Sequence, residues 1–303
     1  MSQIVVVGSI NVDIVSRVAD YPVPGQTIHS QSTAYYYGGK GANQAVAAAR
    51  AEGAVAMVGA VGTDPFGAEI KGALQQQGID TSAISVREGA TGMAYILVND
   101  AGQNQIVLTL GANGTVTQED FSQASMETAK VIILQNEIPW GTNVSVMQWA
   151  RAEGIHVLLN PAPAIKISAE VMPLIGTLVL NELEAQYVTG RSVGSKEDAV
   201  LAARDCIDAG AQEVIVTLGE HGSVHMDREG SGTFTPSYAV KAVDTTSAGD
   251  TFIGYYAAGI CSGKPVAEAL KLASAAAALS VTRSGAQASI PTLEEVEQFM
   301  NSK

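Results

Sequence analysis

Short β-branched runs alternate along this chain with loops and helix-forming segments, and that alternation leaves few folds open. Ile4 to Val7 ends at Gly8-Ser9, Val55 to Val58 ends at Gly59, and Val131 to Leu134 precedes a helical stretch near Gly141 to Glu153. His156 to Leu159 ends at Asn160-Pro161, Leu178 to Leu180 runs into Asn181, and Val214 to Thr217 runs into Leu218-Gly219. Strands that are apolar at consecutive positions are covered on both faces, as in parallel sheets. Parallel strands joined through helices need right-handed crossovers. The pattern predicts an α/β fold, a doubly wound mainly parallel sheet flanked by helices. Helical composition dominates the C-terminal third, over Gly249 to Ser262, Pro265 to Arg283 and Thr292 to Met300. With 303 residues, 47% of them apolar, the chain can bury a sizeable core and reads as one domain, 1–303, without internal repeats or linkers.

Two segments break the rhythm. Residues 12–37 carry strand-like residues without helical period, with Pro22, Pro24 and Gly25 forming a turn inside them. Residues 91–110 hold two strand-like runs, Met93 to Val98 and Gln105 to Leu110, around a hairpin turn at Asn99 to Asn104. Both segments are expected in a small antiparallel sheet outside the main one, acting as a lid or as a decorative hairpin.

Lys plus Arg is 17 and Asp plus Glu is 30, a formal charge of −13, which argues against general nucleic-acid binding. No apolar run approaches the length of a membrane span, and the start of the chain lacks a basic, apolar leader. Cys206 and Cys261 are the only two cysteines, so a reducing, cytoplasmic setting without disulfides is expected.

The strongest local signal is Asp244-Thr245-Thr246-Ser247-Ala248-Gly249-Asp250, small residues leading into an apolar helix. The amides of Ala248, Gly249 and Asp250 at a helix start favour an anion, and Gly249 permits close approach. Asp250 is a misfit beside an anion unless it takes a proton from an attacking hydroxyl, which fits phosphoryl transfer to an alcohol. An ordinary N-cap explains the same residues. Gly38-Gly39-Lys40-Gly41-Ala42-Asn43 opens an alanine-rich helix running to Ala51. It is not a Walker A loop, since Gly41 follows Lys40. Lys40 and Asn43 supply donors for sugar hydroxyls or a phosphate, or the segment is a plain glycine turn with a solvated lysine.

Asn11 and Asp13 follow the first strand, where doubly wound sheets bind ligands, and Asp13 can accept from two adjacent hydroxyls; both also suit an ordinary turn. Asn181 and Glu184 are spaced to organise water around Mg²⁺, or to form a capping box. His221 and His225 fall in a turn and then a strand, a poor setting for a metal, and Cys206 reads as core.

Together these residues resemble the ribokinase-like family of carbohydrate kinases, from Val5 to about Pro291. The first family motif stands here as Gly38 to Asn43 and the second as Asp244 to Phe252. Gly8 to Asp13, Asn160-Pro161-Ala162-Pro163 and Val281 to Gln287 narrow the likeness to the members that act on ribose. The resemblance implies phosphorylation of D-ribose at its 5-hydroxyl by ATP, with Mg²⁺ bridging phosphates, activation by K⁺, and a lid shared across a homodimer. It implies Asp250 as base, an anion hole at Ala248, Gly249 and Asp250, and sugar contacts from Asn11, Asp13, Gly39, Lys40, Asn43 and Glu137. Asn181, Glu184, Thr217, Gly219 and Gly249 fall to the nucleotide, and Asp244, Thr246, Ser280, Arg283, Gly285 and Ser289 to K⁺. Ser247 stands where the family commonly has Ala or Gly, and Ala288 where related kinases often have Pro. Competing readings are the same chemistry on deoxyribose or a nucleoside, and a sugar-binding regulator on a kinase scaffold. A dinucleotide-dependent dehydrogenase shares the sheet type but needs a glycine fingerprint that is missing after the first strand.

Overall fold

The computed structural model describes residues 3–121, 126 and 128–303. Among the described residues nine strands form the main sheet: β1 (Ile4–Val7), β4 (Val55–Gly62), β5 (Ile84–Arg87), β8 (Val131–Gln135), β9 (His156–Asn160), β10 (Thr177–Leu180), β11 (Glu213–Thr217), β12 (Ser223–Asp227) and β13 (Gly232–Thr235). Their order is β13-β12-β11-β10-β9-β8-β1-β4-β5. The pairs from β11 to β5 are parallel, and β12 and β13 add an antiparallel edge. The links into β12 and β13 are short turns, which can join only antiparallel neighbours.

Eight α-helices accompany it among the described residues: α1 (Lys40–Arg50), α2 (Pro65–Gln76), α3 (Trp140–Glu153), α4 (Glu182–Thr189), α5 (Lys196–Asp208), α6 (Ala248–Cys261), α7 (Val266–Ser280) and α8 (Leu293–Asn301). Strand side chains alternate between two apolar layers. Ile4, Val6 and Ile133 pack with Val46 of α1, Tyr255 and Tyr256 of α6 and Leu270 of α7. Val5, Val7 and Ile132 pack with Val146 and Met147 of α3 and Ala202 and Cys206 of α5. Each Val, Ile, Leu or Met side chain among them, when fully buried, contributes roughly 1.5–3 kcal/mol. No helix is long and apolar enough among the described residues to cross a membrane.

A second sheet carries β2 (Asn11–Arg17), β3 (Ser32–Gly38), β6 (Gly92–Val98) and β7 (Asn104–Thr109) in the order β3-β2-β6-β7. It is mixed rather than antiparallel, because β2 and β6 pair in parallel. The reason lies in the main sheet. β2 continues β1 and β6 continues β5, and since β1, β4 and β5 run the same way, both continuations leave in the same direction. Two further expectations are corrected. The strand at Val55 does not stop at Gly59 but runs to Gly62. A Cβ at Gly59 would lie 2.8 Å from the Gly8 carbonyl, so the glycine serves close strand packing rather than a turn. The helix expected to reach Arg283 ends at Ser280, where the Val281 carbonyl turns to accept the amides of Val243 and Asp244.

Candidate functional site

Chain order reverses beside β1, which has β4 on one side and β8 on the other. In open α/β sheets ligands bind at such a point, beyond the carboxyl ends of the strands. Here Ser9, just past β1, donates its hydroxyl to Glu137, just past β8, at 2.5 Å. The same Glu137 oxygen accepts the Lys40 amide at the head of α1, 3.0 Å away. Gly39 makes that junction possible. It holds φ 89°, and a Cβ there would press within 2.8 Å of the Asn11 amide nitrogen. Asn113 ties the neighbouring strand in, accepting from the Ile10 amide and donating to Asn11 Oδ1 at 2.7 Å.

Asp250, in the first turn of α6, is only 7% exposed. Its Oδ2 accepts from Asn43 Nδ2 at 3.2 Å and from Ser247 Oγ at 3.3 Å, and its Oδ1 from Gln44 Nε2 at 2.9 Å. Asn43 Oδ1 is buried and has no partner among the described residues, leaving it to accept from a ligand. Asp13 lies against Gly38, where any Cβ would overlap its carboxylate. Burial, reinforced by the negative charges of Glu137 and Asp250 and opposed by Lys40, pushes the Asp13 carboxyl up to about 7. Burial by itself pulls the Lys40 ammonium down, but Asp250, Glu137, Glu184 and Asp13 outweigh it and hold Lys40 above the usual lysine range. With acidic groups outnumbering the ammonium, this pocket suits a neutral ligand rich in hydroxyl donors rather than an anion.

Across Gly249 opens a cleft of about 640 Å³, lined by Thr217, Gly219, Ala248, Gly249, Phe252, Ala277 and Val281 among others. The position a Gly249 side chain would take meets no described atom within 4 Å. The Ala248 amide leans on the Thr245 carbonyl at 3.3 Å, whereas the amides of Gly249 and Asp250 have no acceptor among the described residues. Open amides at the positive end of a fourteen-residue helix form an anion site. Asn181 and Glu184 are joined in a capping box at the head of α4, with Asn160 Nδ2 also on Glu184 at 3.1 Å. Burial pushes the Glu184 carboxyl up, against the opposing pull of the Asn181 amide, Lys40 and Asn160.

The remaining expected residues gather where α7 ends. Asp244 accepts the amides of Thr246 and Gly285, both at 2.9 Å, binding the loop before α6 to the loop after α7. Those bonds hold its carboxyl below the ordinary range despite the opposing effect of burial. The Arg283 guanidinium is turned to Glu295 at 2.7 Å, so Arg283 presents only its backbone to this loop pair. Ser280 and Ser289 are buried, each donating its hydroxyl to a carbonyl three residues earlier.

Sequence reasoning assigned no role to Ser9, Gln44, Asn113 or Gln135. Only Gln135, a polar residue closing the apolar strand β8 at the switch point, offered a readable signal.

The pfkB family of carbohydrate kinases matches residues 1–293. A ribokinase of Haemophilus influenzae is 41% identical over 298 residues, 97% of each chain. A deoxyribokinase of Salmonella typhi is 36% identical over 302 residues, 98% of each chain. The solved structure of an Arabidopsis thaliana ribokinase complexed with ribose and ATP shares 33% identity and has a TM-score of 0.92 over 99% of each chain.

Proposed function

Since the chain belongs to the pfkB family of carbohydrate kinases, we propose that it transfers the terminal phosphoryl group of ATP to the 5-hydroxyl of D-ribose, with Asp250 as general base. One observation carries this reading. The buried Asp250 carboxylate stands where a hydroxyl-seeking pocket meets a cleft whose nearest wall is open amides.

In the proposed reaction the sugar sits among Asn11, Asp13, Gly39, Lys40, Asn43 and Glu137, and ATP lies in the cleft by Thr217 and Gly219. Asp250 takes the proton of the 5-hydroxyl as that oxygen bonds to the terminal phosphorus. The bond from phosphorus to the bridging oxygen breaks and ADP departs. The amides of Gly249 and Asp250, with Ala248 beside them, steady the negative charge on the transferring group. Glu184 supplies an anionic oxygen on the nucleotide side, the donor chemistry Mg²⁺ takes. Asp244, with the backbone of Thr246, Ser280, Arg283 and Gly285 and with Ser289, offers the all-oxygen set that suits K⁺. When bound, Mg²⁺ offsets phosphate charge and K⁺ fixes the loop that begins α6.

The second sheet acts as the lid, with Gly38-Gly39 as its hinge, and excludes water when closed. Tyr35, Tyr95 and Val107 stand in register and exposed on one face of this sheet, which supports a homodimer through that face. The free thiols fit a reducing cytoplasm.

A deoxyribose kinase is the specific rival, given the 36% identity to a deoxyribokinase. Asp13, able to accept from the 2- and 3-hydroxyls together, favours ribose. A panel of sugars assayed for ADP release, with and without K⁺, tests both. Ribose is expected to lead, and a clear preference for deoxyribose overturns the assignment. Loss of turnover with sugar binding retained is the expected result for Asp250→Ala, and near-normal turnover overturns the mechanism.

A further inference from the structure

We propose that Gln44 is a positioning residue for this reaction: it clamps Oδ1 of Asp250, leaving Oδ2 as the oxygen that takes the alcohol proton. The proposal rests on Asp250 being the base.

Gln44 Nε2 donates to Oδ1 at 2.9 Å, within the range of charge-assisted bonds. Among the described residues Oδ2 takes only the two longer bonds from Asn43 and Ser247, at 3.2 and 3.3 Å. A ligand hydroxyl displaces those at less cost than the Gln44 bond. The orientation of Gln44 is itself fixed. A carboxylate only accepts, so the amide must present nitrogen to it and turn Oε1 away. On that far side Gln135 Nε2 donates to Gln44 Oε1 at 2.7 Å. The Gln135 main-chain carbonyl in turn accepts Asn143 Nδ2 at 2.7 Å. Gln44, Gln135 and Asn143 are all fully buried.

Two glycines give this chain of amides its room. Gly254 lies one turn beyond Asp250, and a Cβ there would stand 2.7 Å from the Gln44 carbonyl, so its absence lets α1 and α6 close. At Gly8 a Cβ would overlap Gln135 Oε1. A base held in one rotamer starts from a productive geometry, and small misplacements of a catalytic group are costly in rate.

The test compares Gln44→Met, Gln135→Met and the double variant, each of similar volume but unable to donate, with Asp250→Asn as control. For Gln44→Met, kcat is expected to fall about ten- to a hundredfold while KM for ribose and ATP stays within about twofold. The acid limb of kcat should move to higher pH, because the carboxylate loses a donor. The charged groups facing Asp250 are Asp13 of β2, Lys40 of α1 and Glu184 of α4, and all are kept. Gln135→Met should give a smaller fall of the same kind, and the double variant should be no worse than Gln44→Met. Should Gln44→Met fail to fold, Gln135→Met carries the same comparison. An unchanged kcat, a KM that rises as much as kcat falls, or an unmoved acid limb overturns the clamp. Wild-type turnover by Asp250→Asn overturns the base itself, whereas a dead Asp250→Asn beside a normal Gln44→Met overturns only the clamp.

Discussion

On one side of Gly249, Asn11, Asp13, Asn43, Glu137 and Asp250 bring buried side chains together beside the half-buried Lys40, several already bonded to protein before any ligand arrives. On the other side, the cleft past Thr217, Gly219, Ala277 and Val281 is lined mostly by small and apolar side chains, with backbone amides at its Gly249 wall. The first region is chemically particular, built from side chains that hold one another by hydrogen bonds. The second is shaped by what side chains leave out. A sugar is distinguished by where its hydroxyls sit, so its pocket needs fixed polar atoms. A nucleotide's phosphates are recognised by charge, which helix amides supply at no side-chain cost.

The largest expected effect tests whether the two regions truly meet at one atom. Asp250→Asn should lower kcat by about 10²–10⁴-fold while both ligands still bind, measured by steady-state kinetics and calorimetry. Next, Gly249→Val should fill the cleft beside the open amides. KM for ATP should rise about tenfold or more, near 1.4 kcal/mol, with sugar binding unchanged. An equal loss of sugar affinity breaks the division between regions.

Asp13→Asn sharpens the polar side through pH. The folded Asp13 carboxyl, at about 7, lies above its ordinary value, so the free protein holds a proton there that the unfolded chain has released. Stability from this group is full in acid and is lost as pH rises through about 7. Asp13→Asn should remove that fall in Tm and stabilise the free protein at pH 8, a gain bounded by about 4 kcal/mol. In the wild type, ribose binding should strengthen as pH rises through 7, since the carboxylate is the better acceptor, and the variant should be flat. The smallest effect is at Ser247, which holds φ 63°. Ser247→Gly relieves the left-handed backbone, worth about 0.5–1 kcal/mol by thermal unfolding, with kcat within about twofold.

Much of this was legible from local pattern. The apolar runs at Ile4, Val131 and Val214 became strands of the parallel part of the main sheet, and the glycine-rich starts of α1 and α6 became the two walls of the site. The resemblance those motifs carried agrees with the family match across residues 1–293. What local pattern missed depended on neighbours distant in the chain. Gly59 looks like a stop until Gly8 is seen beside it, and the parallel pairing of β2 with β6 follows from the direction of β1 and β5. Gln44, in the helix that the glycine motif opens, has no role readable from the sequence, because its partners Asp250 and Gln135 are 206 and 91 residues away.

The sequence by itself determined the alternation of strand and helix, the backbone freedom at Gly39 and Gly249, and which residue types were available for acid–base chemistry. These are local properties, set by side-chain branching, capping and dihedral range. Tertiary structure alone decided which oxygen of Asp250 takes the shorter bond from Gln44 and which takes the two longer ones, and how far burial lifts Asp13. Those depend on the distance between groups and the water removed around them, and neither is defined until the helices close on the sheet.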